Sequence, residues 1–162
     1  MSLPIGCQVS IRSDGLALFS CEERLLSAHA LKSVVDHVCS TRSPFVVSLR
    51  GCGLGGNHVL ILNEVLESPA PIRGLYLDWN SIGAVPSIAK SFFAAVASSS
   101  QLEELDLRNC ALSPSCLESL CHALAVSRSL RRVDIRWNNL GRDGGAALLS
   151  ALSQNVRIEV LL

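Results

Sequence analysis

Aromatic side chains make up only 4% of the 162 residues, too few for the stacking platforms on which single-stranded nucleic acid rests. Net charge is missing as well. The 14 basic and 14 acidic residues cancel, so no bulk field draws the chain to nucleic acid or to an anionic membrane. No apolar run approaches the ~18 residues needed to span a bilayer. The opening MSLPIGCQVSIR lacks the basic start and apolar stretch of a secretion signal. Seven cysteines form an odd set without a C-x-x-C pair, which predicts reduced thiols rather than a disulfide framework. The four histidines show no ligand spacing, and no G-x-S-x-G nucleophile turn occurs, so no metal, cofactor or catalytic residue is expected. These absences point to a soluble, cytoplasmic non-enzyme.

One stretch speaks for a cofactor. VVSLRGCGLGGNHVLIL, residues 46–62, spaces Gly51, Gly53 and Gly56 as GxGxxG between a strand-like and a helix-like run, and Asp78 stands near the place of a ribose-binding acid. Taken alone it suggests a dinucleotide cradle and an NAD-binding oxidoreductase. A chain of 162 residues leaves no room for a separate substrate domain, and a repeat accounts for the same glycines.

Five segments share an apolar residue, a gap, an apolar residue, two gaps, a polar or cysteine residue, a gap, and Leu or Ile. They are VSIRSDGL from Val9, VSLRGCGL from Val47, LYLDWNSI from Leu75, LDLRNCAL from Leu105 and VDIRWNNL from Val133, with starts 38, 28, 30 and 28 residues apart. Ile72, Leu102 and Leu130 stand three residues before their starts, and Pro44 holds that place before Val47. Strand alternation sends both residues of each LxL inward. Asp14, Cys52, Asn80, Cys110 and Asn138 would then turn in and bond the backbone where each strand ends. Helices are predicted at approximately 21–38, 57–67, 85–98, 113–126 and 142–154, with Ser20 and Glu23 at capping-box spacing and Ser113–Pro114 as a helix start.

This LxxLxLxxN/CxL pattern resembles the leucine-rich repeat, and its ~28-residue period with a helix per unit resembles the ribonuclease-inhibitor-like class. The resemblance implies one α/β solenoid over residues 1–162, an open right-handed horseshoe of about five repeats with parallel strands on the concave face and helices on the convex face. Leu161 is placed as the first core residue of a sixth strand. The chain is therefore expected to be the N-terminal part of a longer protein, with oligomerisation residing in sequence beyond Leu162.

Stacking equivalent outward positions gives the candidate site. After the first core residue come Ser10, Ser48, Tyr76, Asp106 and Asp134; after the second come Arg12, Arg50, Asp78, Arg108 and Arg136, followed by Ser13, Gly51, Trp79, Asn109 and Trp137. At ~4.8 Å per strand, Trp79 and Trp137 are expected ~10 Å apart with Asn109 between them. Trp, Tyr and Arg are typical binding hot spots. Arg50, Tyr76, Asp78, Trp79, Asp106, Arg108, Asp134, Arg136 and Trp137 are accordingly read as a face for a protein or peptide ligand with acidic and apolar groups. The competing reading is a charge ladder in which arginines and aspartates neutralise one another under tryptophans laid over arginine stems. The phrases LDWNSIG, LDLRNCALS and IRWNNLGRDGGAALLSAL look like the N-terminal repeats of a centrosomal leucine-rich-repeat and coiled-coil protein, and NOD-like receptor repeats carry similar wording. That resemblance implies a cytoskeletal scaffold at a centriole or basal body. The alternative is a regulator similar to the Ran GTPase-activating protein, built on the same repeats.

Overall fold

A computed structural model describes residues 6–162. Part of the opening stretch read for a leader, residues 1–5, lies outside the described residues. One sheet of seven strands runs in chain order: β1 (Gln8–Ile11), β2 (Ala17–Ser20), β3 (Phe45–Ser48), β4 (Ile72–Tyr76), β5 (Glu104–Asp106), β6 (Arg132–Asp134) and β7 (Val160–Leu161). Every neighbouring pair is parallel except β1–β2. Between the parallel strands lie α1 (Ala28–Cys39), α2 (Asn57–Glu67), α3 (Pro86–Ser98), α4 (Leu117–Val126) and α5 (Gly144–Ser153), each packed on the next. No helix among the described residues is long and apolar enough to cross a membrane.

The register corrects the first repeat. Phe19 pairs with Val47, Val47 with Leu75, Leu75 with Leu105, Leu105 with Val133 and Val133 with Leu161, so the repeat starts at Phe19 and steps by 28, 28, 30, 28 and 28 residues. Leu161 takes the sixth-strand place that the spacing assigned to it. The Val9 segment instead forms β1, an antiparallel edge strand that turns back through residues 12–16, with Asp14 accepting from the Leu16 N–H. Arg24, five residues after Phe19, holds the place assigned to Asp14. The ten surplus residues are this hairpin, not a longer helix. Accordingly α1 begins at Ala28 rather than 21, capped by Ser27 accepting from the Ala30 N–H, and Glu23 lies in the preceding turn with φ 53°. Pro44 is exposed; Phe45, fully buried, pairs with Ile72 through a bulge and fills that core position.

The core is the stack of LxL residues against the inner helix faces. Val47, Leu49, Leu75, Leu77, Leu105, Leu107 and Val133 are almost wholly buried, as are Ile72, Leu102 and Leu130. Each helix supplies a stripe at helical spacing: Leu31, Val34, Val35 and Val38 in α1, Leu120, Ala123 and Leu124 in α4. Helix starts follow local chemistry, with Pro86 and Pro114 in first turns whose N–H groups need no partner; Ser113 precedes a short 3₁₀ turn, Pro114–Cys116, without a side-chain cap.

Repeats approach closely at Gly83, where an added Cβ would lie 2.6 Å from the Ala111 carbonyl oxygen and 2.8 Å from the Leu112 Cα. Both belong to the backbone of the next repeat, which also accepts from the Gly83 N–H through Cys110. Gly83→Ala must push two repeats apart. A loss of about 2–3 kcal/mol is expected, seen as a lower urea midpoint with unchanged slope.

The cysteine reading needs one correction. Cys7 and Cys21 form a disulfide, bracketing the β1–β2 hairpin, while Cys39, Cys52, Cys110, Cys116 and Cys121 are free. Sequence spacing gave no sign of the pair because antiparallel pairing, not a motif, brings them together. Burial pushes the Cys110 thiol up to about 12, so at pH 8 about one molecule in ten thousand carries the thiolate. Iodoacetamide followed by mass mapping is expected to spare Cys110 in the native protein and to modify it only after unfolding.

Candidate functional site

Where each strand ends, the chain leaves the sheet by one recurring turn. Glu23, Gly51, Trp79, Asn109 and Trp137, equivalent in the register, all take the left-handed conformation, with φ of 53°, 61°, 62°, 47° and 60°. The cause is shared. In this conformation the N–H still reaches the next repeat: Glu23 to the Arg50 carbonyl, Gly51 to Asp78, Trp79 to Arg108 and Asn109 to Arg136, at 2.7–3.1 Å. Glycine adopts it freely, whereas a tryptophan there costs of order 1–2 kcal/mol. Such strain at two exposed tryptophans is not explained by core packing.

Both rings stand out from the sheet's end, 50% and 64% exposed. They are not the separated pair expected from strand spacing. Their centroids lie 6.0 Å apart at 62°, an edge-to-face contact made because each side chain extends several ångströms from its backbone toward the other. Trp79 and Trp137 thus form one apolar knob.

Beside the knob, the charged column is paired internally, as the competing reading anticipated. Asp78 takes Arg108 at 3.2 Å and Arg50 at 3.5 Å; Arg108 also grips Asp106 at 2.5 Å and approaches Asp134 at 3.5 Å; Arg136 binds Asp134 at 2.7 Å. Asp78 is covered on this face by its arginine partners. It is only 3% exposed, and burial pushes its carboxyl up, assisted by Asp106 and opposed by Arg108 and Arg50. For Asp134 burial pulls the same way, but the hydrogen bonds of Arg136, with the charges of Arg136 and Arg108, prevail and hold its carboxyl below the usual range. Three arginines and three aspartates cancel, so this strip offers hydrogen bonds and no net field to an acidic ligand.

Tyr76 extends the face toward the strand starts. Its hydroxyl donates to Glu104 and accepts from Arg12 Nη1 at 2.8 Å. Burial, then the bond to Glu104, push the phenol well above its usual value. A concave cavity of about 320 Å³ opens next to it, lined by Tyr76, Glu104, Asp106, Arg132, Asp134 and Leu162 among others. Of the nine residues read from sequence as one face, all lie along the ends of β3 to β6 and the turns that follow. Ser10, Arg12 and Ser13, expected to open the three columns, sit on the hairpin instead, and Ser20, Glu22 and Glu23 replace them. Missed were Glu104 and Arg132, one position before the first core residue. The same alternation rule carried one residue further back would have found them.

The comparisons agree with this geometry. The family descriptions "Leucine Rich Repeat" and "Leucine Rich repeat" match residues 101–123 and 126–149. Ribonuclease inhibitor of Sus scrofa is 27% identical over 123 residues, covering 76% of this chain and 26% of that protein. The chain is a leucine-rich-repeat protein of the ribonuclease-inhibitor-like class. It is also similar to "NACHT, LRR and PYD domains-containing protein 5" of Bos taurus, 30% identical over 147 residues, 88% of this chain and 12% of that one. It thus spans about an eighth to a quarter of the length of these relatives. The solved tropomodulin C-terminal domain of Caenorhabditis elegans shares the fold, with a TM-score of 0.68 at 17% identity over 88% of this chain and 85% of that chain.

In leucine-rich-repeat terms, the GxGxxG glycines serve the turns. Gly51, Gly53 and Gly56 have φ of 61°, 66° and 50°. The N–H of Gly51 is engaged by Asp78, and that of Leu54 by the Asn80 side chain. Asp78 belongs to the charge ladder. Among the described residues no group of three or more His, Cys, Asp or Glu could hold a metal ion.

Proposed function

We propose that this protein is a non-enzymatic interaction scaffold that holds a protein partner against its concave face, with the Trp79–Trp137 knob as the anchor. The carrying observation is the pairing of two half-exposed indoles on strained backbone. Two such residues stand, at a cost to stability, on a column where Gly51 takes the same backbone freely, and aromatic anchors dominate protein interfaces. Similarity to a ribonuclease inhibitor, by its name a protein that acts on another protein, supports the same reading. Because the arginines are matched by aspartates, the partner is one that buries an apolar group on the knob and takes hydrogen bonds from the ladder, rather than one selected by its acidity. A cytoskeletal setting of the centriole or basal-body type is proposed on the wording of the last three repeats.

The test is affinity capture from cells by wild-type protein and by Trp79→Ala/Trp137→Ala, with bound proteins identified by mass spectrometry. Loss of the captured protein from the double variant supports the proposal; equal capture overturns it. Arg108 is left in place, since its removal takes the nearer of the two arginines from the buried Asp78 and would confuse binding with stability.

A further inference from the structure

One contact on the concave face is not made by the repeats. Arg12 lies in the turn between β1 and β2, yet its guanidinium spans to the middle strands. Nη1 meets the Tyr76 hydroxyl at 2.8 Å and Glu104 Oε2 at 3.2 Å, Cζ stands 5.9 Å from the Tyr76 ring centroid, and Nη2 pairs with Asp14 at 3.0 Å. An aromatic face beside a carboxylate is the pairing that recognises a guanidinium. Of the other arginines of this face, Arg50, Arg108 and Arg136 have aspartate partners of their own, and Arg132, paired in register with Glu104, makes no ion pair with it. Tyr76 and Glu104 therefore make a separate cation site, and Arg12 occupies it in cis.

The segment that carries Arg12 is lightly held. All four residues of β1 are exposed, and its apolar side chains Val9 and Ile11 remain 50% and 69% accessible, so little burial keeps the strand in place. Its ties are the four-residue pairing with β2, the Arg12 contacts, and the Cys7–Cys21 disulfide at the open end of the hairpin. The five other cysteines are free. A single disulfide among reduced thiols, placed where it restrains a weakly packed strand, is suited to reversible reduction.

We propose that Tyr76 and Glu104 form a guanidinium-binding site for an arginine of the protein partner, that Arg12 closes it as an internal strap, and that reduction of Cys7–Cys21 releases the strap. The partner's identity as a protein rests on the function proposed above; the site and its latch do not. The chemistry is thiol–disulfide exchange with a dithiol reductant. One thiolate of the reductant attacks a sulfur of the bridge and displaces the other as a thiolate. The second thiol then resolves the mixed disulfide, leaving Cys7 and Cys21 as thiols and the reductant oxidised to its own disulfide.

Tyr76 is the chain's single tyrosine, so its ring resonances report the site without ambiguity. N-acetyl-arginine amide is titrated by NMR into oxidised wild-type protein, wild type reduced with dithiothreitol, Arg12→Ala, and Cys7→Ser/Cys21→Ser. A strap closed in nine molecules of ten weakens apparent affinity about tenfold. The Tyr76 ring is therefore expected to respond at about tenfold lower amide concentration in the three opened forms than in the oxidised protein. N-acetyl-lysine amide is expected to bind more weakly, and Arg12→Ala/Glu104→Gln to lose the response. An Arg12→Ala ring indifferent to the arginine amide overturns the site. Reduced and Cys7→Ser/Cys21→Ser proteins that titrate like the oxidised form overturn the latch. Neither result touches the tryptophan test, which reads partner capture.

Discussion

Asn80→Ala is expected to destabilise the protein by about 3–4 kcal/mol, among the largest single-residue effects in the chain. The Asn80 side chain is 6% exposed and sits between two repeats. Its Oδ1 accepts from the Leu54 N–H at 2.8 Å, and its Nδ2 donates to the carbonyls of Leu49 and Leu77, both at 2.8 Å. Truncation leaves the Leu54 N–H and the Leu49 carbonyl with no water to replace the amide, while the Leu77 carbonyl keeps the Cys110 thiol as a donor, and each unsatisfied buried group costs about 1–3 kcal/mol before relaxation. The repeat supplies its own control. At the equivalent places Cys52 donates to the Cys21 carbonyl and Cys110 to the Leu77 carbonyl, so a thiol keeps one of the bonds. Asn80→Cys is therefore expected to lose about half as much as Asn80→Ala. Urea unfolding of both variants measures this, and equal losses would show that the amide's additional bonds contribute nothing.

Trp79→Ala/Trp137→Ala is expected to weaken partner binding by at least about 100-fold, from two hot-spot truncations of about 2 kcal/mol or more each, discounted for non-additivity. Stability should change little. The lost edge-to-face contact is worth about 0.5–1.5 kcal/mol, while the left-handed backbone remains for alanine. Trp79→Gly separates the two effects, because glycine relieves the backbone as Gly51 already does at φ 61°. That variant should regain about 1 kcal/mol over Trp79→Ala without regaining affinity. Both tryptophans of the chain lie in this knob, so intrinsic fluorescence follows binding and unfolding from a single place. Stability losses approaching those of Asn80→Ala would mean that the indoles are structural, and the anchor would have to lie elsewhere.

Most of the solenoid was legible because its signal is periodic and redundant. Misreading one unit left four others to set the strand and helix positions, and the predicted helices at 57–67 and 85–98 meet the observed Asn57–Glu67 and Pro86–Ser98 within a residue. The first unit was misread because Val9, Ile11 and Asp14 imitate a repeat while the true one, from Phe19, carries Arg24 where Asn or Cys is expected. Only pairing across the sheet tells them apart. Alternation assigned side chains to the concave face, but it carries no information on depth or reach. Asp78 was placed on that face and is buried there under two arginines, and Arg12 serves the face from a hairpin that alternation assigned to a strand.

The order of apolar residues was sufficient to establish stacked strand–helix units, their period and which residues enter the core, because burying one face of every unit admits a single register. The rest depended on contacts between residues far apart in the chain: the left-handed tryptophans meeting edge to face, the cancelled charges, the Cys7–Cys21 bridge, and a guanidinium held 64 and 92 positions from its own. Such contacts are set by side-chain length and by the distance between neighbouring strands, quantities that exist only once the repeats are packed.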